Sequence, residues 1–420
     1  MSRPRVVIVG GGFGGLSAAR SLRSAPAEVL LIDRCNHHLF QPLLYQVATS
    51  VLTPAQIASP IRNILRKQKN TLVLLGEVTA MDTGARSVFA SNVDREHVSI
   101  RYDYLVLATG AHHSYTGHES FEQFAPGLKT LADAVQIRNR ILQAFERAEA
   151  QENPADDPGL LTFVLVGAGP TGVEMAGAIA VLIRQTLRAE YRRVDPALAR
   201  VVLVEGGGRV LPSFSEPLSA AATRRLESLG VEIQPGHVDR LDEKGAWIGD
   251  EHVPSKTVIW AAGVNAGLVG KWLGTATDRS GRVRIDGLLR VPDHPEIFVI
   301  GDAAALDQDG HTLPGVAQVA LQQGRYAGRS IARAIAGQPT LPPFRYFDKG
   351  SMAVVGKGFA VLEAGKVRIS GILAWFAWAA IHIHFLAQSG LRIAVFLQWM
   401  WTYFTGQRGS RLIVNHRSTK

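Results

Sequence analysis

A strand followed by a glycine-rich turn and a helix occurs twice in this chain, and no other sequence feature limits the fold as much. The first copy reads VVIVGGGFGGLSAARSL, in which residues 6–9 are continuously apolar, as is typical of a strand buried in a parallel sheet. Gly10, Gly12 and Gly15 then form G-x-G-x-x-G. These glycines permit a tight turn, close backbone approach to a pyrophosphate, and packing of the helix on the strand. The helix N-terminus adds N–H donors for the phosphates.

An acidic residue follows at the spacing that a nucleotide-binding unit requires. The second strand, EVLLID, ends at Asp33, eighteen residues after Gly15. A carboxylate at this position accepts hydrogen bonds from the adenosine ribose. The strand, the helix and the acid together predict a dinucleotide-binding unit.

The second copy reads LTFVLVGAGPTGVEMAGAIA and repeats the glycine spacing at Gly167, Gly169 and Gly172. Its next strand ends at Glu205, a longer separation that predicts a crossover helix through about Arg193. An acid at this position favours the free 2′-hydroxyl of NAD(H) over the 2′-phosphate of NADP(H). Arg209 could accept that phosphate, so the sequence favours NADH and leaves NADPH open.

Two such units in one chain indicate a flavin and a nicotinamide that exchange hydride. YDYLVLATGA runs into Thr109 and Gly110, and EIFVIGDAAA ends in Gly301 and Asp302. With these segments the chain resembles the two-dinucleotide-binding-domain flavoproteins. The resemblance implies that both segments close the FAD fold and that Asp302 contacts the ribitol. VIWAAGV, residues 258–264, resembles the strand on which the chain returns from the NADH domain to the FAD domain.

Three further segments narrow the resemblance: HHLFQPLLYQVATSVL, GPTGVEMAGAIA and PGVAQVALQQGRYAG. With the aromatic, basic C-terminal region they resemble the type II NADH dehydrogenases, which are NADH:quinone oxidoreductases that do not pump protons. The resemblance implies that NADH reduces FAD and that two electrons then pass to a membrane quinone, either ubiquinone or menaquinone. FAD and NADH are therefore the expected cofactors.

The single cysteine, Cys35, separates this family from its neighbours. A disulfide reductase needs a redox-active cysteine pair beside the flavin. Sulfide:quinone reductases also generally need at least two cysteines, so sulfide or another substrate with quinone is the less favoured enzyme alternative. A flavin- and NADH-binding redox sensor is the alternative from another class, and quinone turnover would exclude it. Cys35 itself is interpreted as a small packed residue.

The motifs and the resemblance together define the expected cofactor-binding residues. Those for FAD are Gly10, Gly12, Phe13, Gly14, Gly15, Asp33, Arg34, Pro42, Tyr45, Thr109, Gly110, Gly301, Asp302, Ala317 and Gln318. Those for NADH are Gly167, Gly169, Pro170, Thr171, Gly172, Glu174, Glu205, Ala262 and Gly263.

Glu174, Gln318 and Gln322 are the expected catalytic residues. The two glutamines are four apart and share one face of a helix. The resemblance places that face at the flavin and the quinone ring, whereas spacing alone favours amides that cap backbone groups. Glu174 is expected in the first turn of its helix, where it either meets the helix dipole or positions the nicotinamide and takes part in proton transfer.

The remaining histidines give weaker signals. His37 and His38 could donate protons near the flavin, although exposed loop histidines are commoner. No metal site is expected, because His382 and His384 fall on opposite sides of a helix.

The C-terminal region combines aromatic residues with an unbalanced positive charge. The formal net charge is +9, and residues 364–420 contain seven Lys and Arg but no Asp or Glu. Their apolar neighbours favour an anionic membrane over nucleic acid as the partner. Residues 372–387 and 391–404 are predicted helices, each shorter than the roughly 18–20 residues that span a bilayer. We expect them to lie in the interface with Trp and Tyr at the headgroups; a buried hairpin or a dimer interface is the alternative.

The predicted fold class is α/β, with two Rossmann-like domains and a C-terminal amphipathic-helix region that docks on a membrane. Residues 1–115 and 265–340 are assigned to the FAD domain, 116–264 to the NADH domain, and 341–420 to membrane association. An apolar strand begins too close to Met1 for a signal peptide to precede it. The expected location is therefore the cytoplasmic face of the cell membrane, as a peripheral protein. A homodimer is left open.

Overall fold

A computed structural model describes residues 3–92, 94, 97–115, 117–153, 156–188 and 190–414. The chain forms two compact units that alternate along the sequence. The first unit contains Met1–Leu39, Ala58–His112 and Val264–Asp348. The second contains Phe40–Ile57, His113–Gly263 and Lys349–Lys420.

An eight-stranded sheet forms the centre of the first unit. Its strands run in the order Arg290–Val291, His294–Val299, Tyr104–Leu107, Arg5–Val9, Glu28–Asp33, Thr71–Asp82, Ser87–Asn92 and Val98–Arg101. The central strands are parallel, and the last two form an antiparallel extension. The apolar runs recognised in the sequence become its buried core, because a parallel sheet is covered on both faces.

Two helices of the first unit pack closely on each other, Phe13–Ser21 and Ala317–Ile335. A Cβ atom at Gly324 would lie 2.1 Å from the carbonyl oxygen of Gly14. Glycine is therefore required where the two backbones meet. The unit also contains the helices Ile61–Leu65 and Leu268–Leu273 and the short strands His37–Leu39, Ala58–Pro60, Val283–Arg284, Ala304–Ala305, Asp307–Gln308 and His311–Thr312.

The second unit repeats the parallel arrangement on a smaller scale. Its four-stranded sheet has the order Val231–Pro235, Arg200–Glu205, Thr162–Val166 and Thr257–Trp260, with all neighbours parallel. A three-stranded antiparallel sheet follows, formed by Val238–Asp242, Gly245–Ile248 and Glu251–Pro254. The helices of this part are Leu44–Ala48, Pro54–Ile57, Leu131–Ala150, Pro170–Val181 and Glu216–Ser228. The prediction of an α/β fold with two Rossmann-like sheets is confirmed.

The crossover helix of the second unit is shorter than expected. Pro170–Val181 continues as a π-helical segment, Leu182–Leu187, and the expected extension to Arg193 is wrong. The N–H groups of Arg192, Arg193 and Val194 donate to the carboxylate of Glu149 instead of to helical carbonyls. That carboxylate holds the segment as a loop.

The C-terminal part of the second unit is a three-stranded antiparallel sheet followed by two helices. The strands are Ser351–Val354, Ala360–Ala364 and Val367–Gly371. The helices, here called the tail helices, are Ile372–Phe385 and Ser389–Thr405, which confirms the prediction of two short helices. Within the described residues, no helix combines the length and the apolar character needed to cross a membrane.

Candidate functional site

The first glycine-rich turn has the geometry that a dinucleotide phosphate requires. Gly10 has a φ of +103°, a left-handed conformation that favours glycine. A Cβ atom at Gly15 would lie 1.8 Å from the carbonyl oxygen of Gly10, whereas one at Gly12 would meet nothing within 4 Å. Gly10 and Gly15 are thus needed by the turn itself, and Gly12 leaves open space at the start of the helix Phe13–Ser21. These features fit a bound pyrophosphate.

The acid after the second strand holds this turn in place. The carboxylate of Asp33 accepts hydrogen bonds from the N–H groups of Gly11 and Cys35. Burial raises the pKa of Asp33, and the two hydrogen bonds and Arg34 oppose that shift. Asp33 therefore links the end of one strand to the turn after its neighbour.

The second glycine-rich turn repeats this construction. Gly167 has a φ of +101°, and a Cβ atom at Gly172 would lie 1.9 Å from the Gly167 carbonyl oxygen. The carboxylate of Glu205 accepts from the N–H of Ala168 at 2.9 Å and from the N–H of Gly207. The equivalent acid thus binds the equivalent position of the turn. Gly169 opens on free space, as Gly12 does.

Arg209, the one candidate for a 2′-phosphate, is engaged within its own loop. Its Nη2 donates to the carbonyl oxygens of Pro212 at 2.7 Å and Phe214 at 2.8 Å. The loop leaves the carboxylate of Glu205 as the charged group beside the turn. This arrangement fits a free ribose hydroxyl better than a phosphate.

The other candidate residues of the NADH motif lie around the second turn. Pro170 and Thr171 are exposed at the start of the helix Pro170–Val181. Ala262 is packed against the turn, since a Cβ atom at Gly167 would lie 2.9 Å from that of Ala262. Gly263 follows with a φ of +80°.

His38 differs from the expectation of an exposed loop histidine, which is wrong for this residue. It lies in the strand His37–Leu39 and is buried. Its Nδ1 is 3.1 Å from the carbonyl oxygen of Gly11, and its ring packs edge-on against Phe13 at 5.0 Å. Burial lowers the pKa of His38 to about 4, so the imidazole is neutral at physiological pH. No sequence pattern indicated that this side chain supports the glycine-rich turn.

The remaining FAD candidates of the first unit lie at the ends of its parallel strands. Gly301 and Asp302 begin a short 3-10 helix after the strand His294–Val299, and Gly110 adopts a φ of +71°. The N–H of Gly301 donates to Oε1 of the buried Gln323 at 2.7 Å. Gln323, which the sequence did not single out, thus fixes the Gly-Asp turn.

The two candidate catalytic glutamines lie on the helix Ala317–Ile335, as expected from their spacing. The Nε2 of Gln322 donates to the carbonyl oxygen of Phe347 at 2.9 Å, and the Phe347 N–H donates to Oε1 of Gln322 at 3.1 Å. The amide of Gln322 therefore pairs with backbone. Gln318 lies one turn earlier, at the start of the helix.

An aromatic cavity of about 100 Å³ lies within the second unit. Its walls include Trp375, Trp378 and Trp399 from the tail helices, and Tyr45 from the helix Leu44–Ala48. Tyr45, expected at the flavin, thus belongs to the wall of this cavity. Pro42 lies one turn before it, in the short 3-10 helix Gln41–Leu43.

A chain of hydrogen bonds joins the tail helices to the wall of the cavity. The indole N–H of Trp399 donates to Oε1 of Gln46 at 2.7 Å, and Nε2 of Gln46 donates to the hydroxyl of Tyr45 at 3.1 Å. Trp378 stacks on Trp399 with 5.1 Å between ring centroids and on His382 with 4.3 Å. These contacts make the aromatic residues a structural wall.

The tryptophans of the tail helices therefore do not share one environment. Trp378 is 2% exposed and Trp401 is 57% exposed. The expectation that these side chains lie at the headgroups is wrong for Trp378, because its ring is packed between two other rings. Trp401 has the exposure that this role requires.

Glu174 lines the same cavity. It lies in the second turn of its helix, because the helix begins at Pro170, a residue well suited to that position. The expected first-turn position is wrong, and the effect of the helix dipole falls off after the first turn. Burial raises the pKa of Glu174 to about 8, and the weak hydrogen bond from the Val354 N–H, 3.4 Å long, opposes it. The carboxyl group is thus protonated at neutral pH.

Arg408 is a charged residue that lines the cavity, although it was expected at the membrane surface. The expectation that it meets anionic lipid is wrong, because its side chain is 3% exposed. Its guanidinium donates to the carbonyl oxygens of Thr49 at 2.7 Å and Ala178 at 3.3 Å. No sequence signal distinguishes it from the other arginines of this region. Arg417 and Lys420, which belonged to the same expectation, lie outside the described residues.

Metal ligands are not clustered in the described part of the chain, where no group of three His, Cys, Asp or Glu residues could hold an ion. The Nδ1 of His382 instead lies 2.8 Å from the carbonyl oxygen of Trp378.

Comparison with known proteins identifies a matching family model and a relative of similar length. Residues 4–324 match the family model of the pyridine nucleotide-disulphide oxidoreductases. The chain is 42% identical to type II NADH:quinone oxidoreductase Ndh of Mycobacterium tuberculosis over 428 residues, covering 99% of this chain and 91% of that protein.

Two solved structures share the fold. The structure of NDH2 from Plasmodium falciparum in complex with NADH has a TM-score of 0.88 at 19% identity, covering 99% of this chain and 100% of that one. The sulfide:quinone oxidoreductase of Aquifex aeolicus has a TM-score of 0.74 at 17% identity, with 98% and 96% covered. At these identities the likeness concerns the fold alone.

Proposed function

The chain belongs to the type II NADH:quinone oxidoreductases, within the pyridine nucleotide-disulphide oxidoreductase family, and from this premise we propose that it oxidises NADH and reduces a membrane quinone without pumping protons. The near-full-length identity of 42% carries the proposal. It confirms the family that the motifs indicated. The two glycine-rich turns, each held by its own acid, are the physical features that support it.

FAD in the first unit and NADH in the second are the proposed cofactors. When bound, FAD accepts hydride from NADH and releases electrons to a quinone. In this assignment Asp33 and Asp302 hold the ribose and ribitol of FAD, while Glu205 holds the adenosine ribose of NADH. The division by cofactor into 1–115 with 265–340, and 116–264, follows the same motifs.

Quinone reduction needs two protons, and Glu174 is the proposed donor of one of them. A carboxyl group with a pKa of about 8 is protonated at neutral pH and can donate to a more basic oxygen. Gln318 is the proposed hydrogen-bond partner of the quinone ring. Gln322 is proposed at the same site, where its bonds to Phe347 hold the segment after the helix.

Membrane contact is proposed for the tail helices. Leu373, Phe376, Leu397 and Phe404 are each more than half exposed, an apolar surface that water disfavours. A peripheral position on the cytoplasmic face, with residues 371–420 towards anionic lipid, would bring the enzyme to its substrate. A second copy of the chain is the alternative partner for this surface.

The test is NADH oxidation by the purified, FAD-loaded protein, with and without a short-chain quinone. We expect fast NADH loss only when the quinone is present, and slower reaction with NADPH. Sulfide in place of NADH is expected to give no quinone reduction, because the chain has one cysteine. Flavin reduction by NADH without quinone turnover would contradict the proposal and favour a redox sensor.

A further inference from the structure

Arg408 holds a positive charge inside the aromatic cavity without a carboxylate partner. Among the described residues it forms no ion pair, and its two acceptors are the neutral carbonyls of Thr49 and Ala178. Burial lowers the pKa of Arg408 to about 9, so the guanidinium remains charged at neutral pH. A buried charge is costly unless an opposite charge or several hydrogen bonds compensate it.

The other ionisable residues that line the cavity do not neutralise the positive charge of Arg408. Lys357 lines the same wall, where its Nζ donates to the carbonyl oxygen of Tyr403 at 2.7 Å. Glu174 is the one acidic residue among the described lining residues. It is protonated at neutral pH and is not bonded to either cation. The cavity therefore presents two cations and a proton donor to whatever enters it.

The aromatic walls add a requirement on shape and polarity. Trp378 and Trp399 stack with 30° between their ring planes and line the cavity together with Trp375. The indole N–H of Trp378 has no hydrogen-bond partner among the described residues. Aromatic walls favour a flat ring, and a free buried N–H favours an oxygen acceptor on it.

We propose that this cavity binds a flat ring carrying a negatively charged oxygen, and that Arg408 selects it. This inference rests on the proposed function, which supplies such a ring: a quinone that gains two electrons and one proton becomes a quinol monoanion. Transfer of one proton from Glu174 then gives the neutral quinol and leaves Glu174 ionised, to be reprotonated from water. Arg408 stabilises the monoanion more than the neutral quinone, because a charge-assisted hydrogen bond is stronger.

The experiment compares two ring probes on the FAD-loaded protein without NADH. The probe 2-hydroxy-1,4-naphthoquinone is an anion at neutral pH, and 2-methoxy-1,4-naphthoquinone is its neutral counterpart. Binding is followed by quenching of tryptophan fluorescence, since three tryptophans line the cavity. We expect the anion to bind at least about tenfold more tightly, as for one charge-assisted hydrogen bond. Equal affinities in the unmodified protein would overturn the proposal without any variant.

Variants then assign the preference to a residue. Arg408→Gln should abolish the preference for the anion, and Arg408→Lys should keep part of it. Arg411→Gln is the matched control, because Arg411 lies on the same segment but pairs with Glu190. A preference that survives in folded Arg408→Gln would overturn the role of Arg408.

A separate readout distinguishes this inference from the function on which it rests. Bleaching of the flavin by NADH, without quinone, is measured in the unmodified protein and in the control Arg411→Gln, and should proceed at the same rate in both. Loss of bleaching in the unmodified protein would contradict the proposed function. Normal bleaching and turnover with no preference between the two probes would contradict only the inference.

Discussion

At the scale of single residues, the protonation of Glu174 gives a prediction about pH. Its pKa of about 8 means that the carboxyl is protonated below that pH and ionised above it. We expect kcat for quinone reduction to fall as pH rises through about 8, because the donor is lost. Glu174→Gln should lower kcat about a hundredfold, the contribution typical of a general acid, and remove this fall. The measurement is kcat against pH from 6 to 10 with saturating NADH and quinone.

Stability supplies the control for the same group. The folded-state pKa of Glu174 lies above its ordinary value of 4.5, so the folded state binds more protons between those two values. The contribution of Glu174 to the free energy of unfolding is therefore largest at low pH and declines as pH rises towards 8. Glu174→Gln should gain in Tm relative to the unmodified protein between pH 5 and pH 9. Parallel Tm curves for the two proteins would show that Glu174 is not protonated at neutral pH.

The glutamines of the helix Ala317–Ile335 should separate in their effects. Gln318→Ala should lower kcat/KM for quinone about tenfold, the cost of one hydrogen bond to a buried polar group. Gln322→Ala should mainly lower the free energy of unfolding by about 1 kcal/mol, because its amide pairs with the backbone of Phe347. The measurements are quinone kinetics and denaturant unfolding for both variants. A larger kinetic loss in Gln322→Ala would contradict this separation and favour direct contact of Gln322 with the quinone.

At the scale of secondary-structure elements, the tail helices combine a predicted and an unpredicted feature. Their length and their apolar composition could be predicted from the sequence, since both depend on neighbouring residues. The buried side of each helix could not be predicted from the sequence, because neither helix has a continuous stripe of polar residues that would mark its exposed side. Trp378 is buried because its ring packs on His382 and Trp399, whereas Trp401 is 57% exposed.

The exposed side of the tail helices gives a prediction about membrane binding. Leu373→Gln with Leu397→Gln should reduce binding to anionic liposomes about tenfold or more, because two leucines leave the apolar surface. The NADH-dependent reduction of the flavin should not change. Cosedimentation with liposomes measures the binding.

A matched control for this test lies elsewhere in the second unit. Leu198 is 77% exposed, compared with 71% for Leu373, and it lies in the short 3-10 helix Pro196–Leu198. Leu198→Gln should leave liposome binding unchanged. Equal losses in the control and the double variant, or none in either, would contradict the membrane role of the tail helices. Deleting the segment would be a poorer test, because it would also remove the wall of the cavity and Arg408.

At the scale of the whole molecule, the features that could be predicted from the sequence are those that depend on short stretches of neighbouring residues. The glycine spacing and the acids Asp33 and Glu205 lie within each repeat, so they could be predicted from the sequence. The cavity was not predicted, because its wall combines segments far apart in the chain. Tyr45, Glu174 and Arg408 meet there only after the second unit has folded. Its charge balance is likewise a property of the assembled unit.

The cysteine content of the whole chain gives the last prediction. Relatives in the wider family are named for disulphide chemistry, which needs two thiols, and this chain has only Cys35. Burial and the neighbouring Asp33 raise the pKa of the Cys35 thiol, so little thiolate is present at neutral pH. Cys35→Ser should therefore keep NADH:quinone turnover within about twofold, since neutral substitutions away from reacting groups have small effects.

The measurement is turnover of the unmodified and Cys35→Ser proteins, before and after treatment with N-ethylmaleimide. The contact between the Cys35 N–H and Asp33 uses the backbone, so the substitution preserves it. Loss of FAD from the variant would indicate a packing role beside the ribose site, and flavin absorbance of the purified protein detects it. Loss of turnover with FAD retained would contradict this prediction and show that the Cys35 side chain is needed for turnover. Full turnover in Cys35→Ser would mean that the path from NADH to the quinone needs no thiol of this chain.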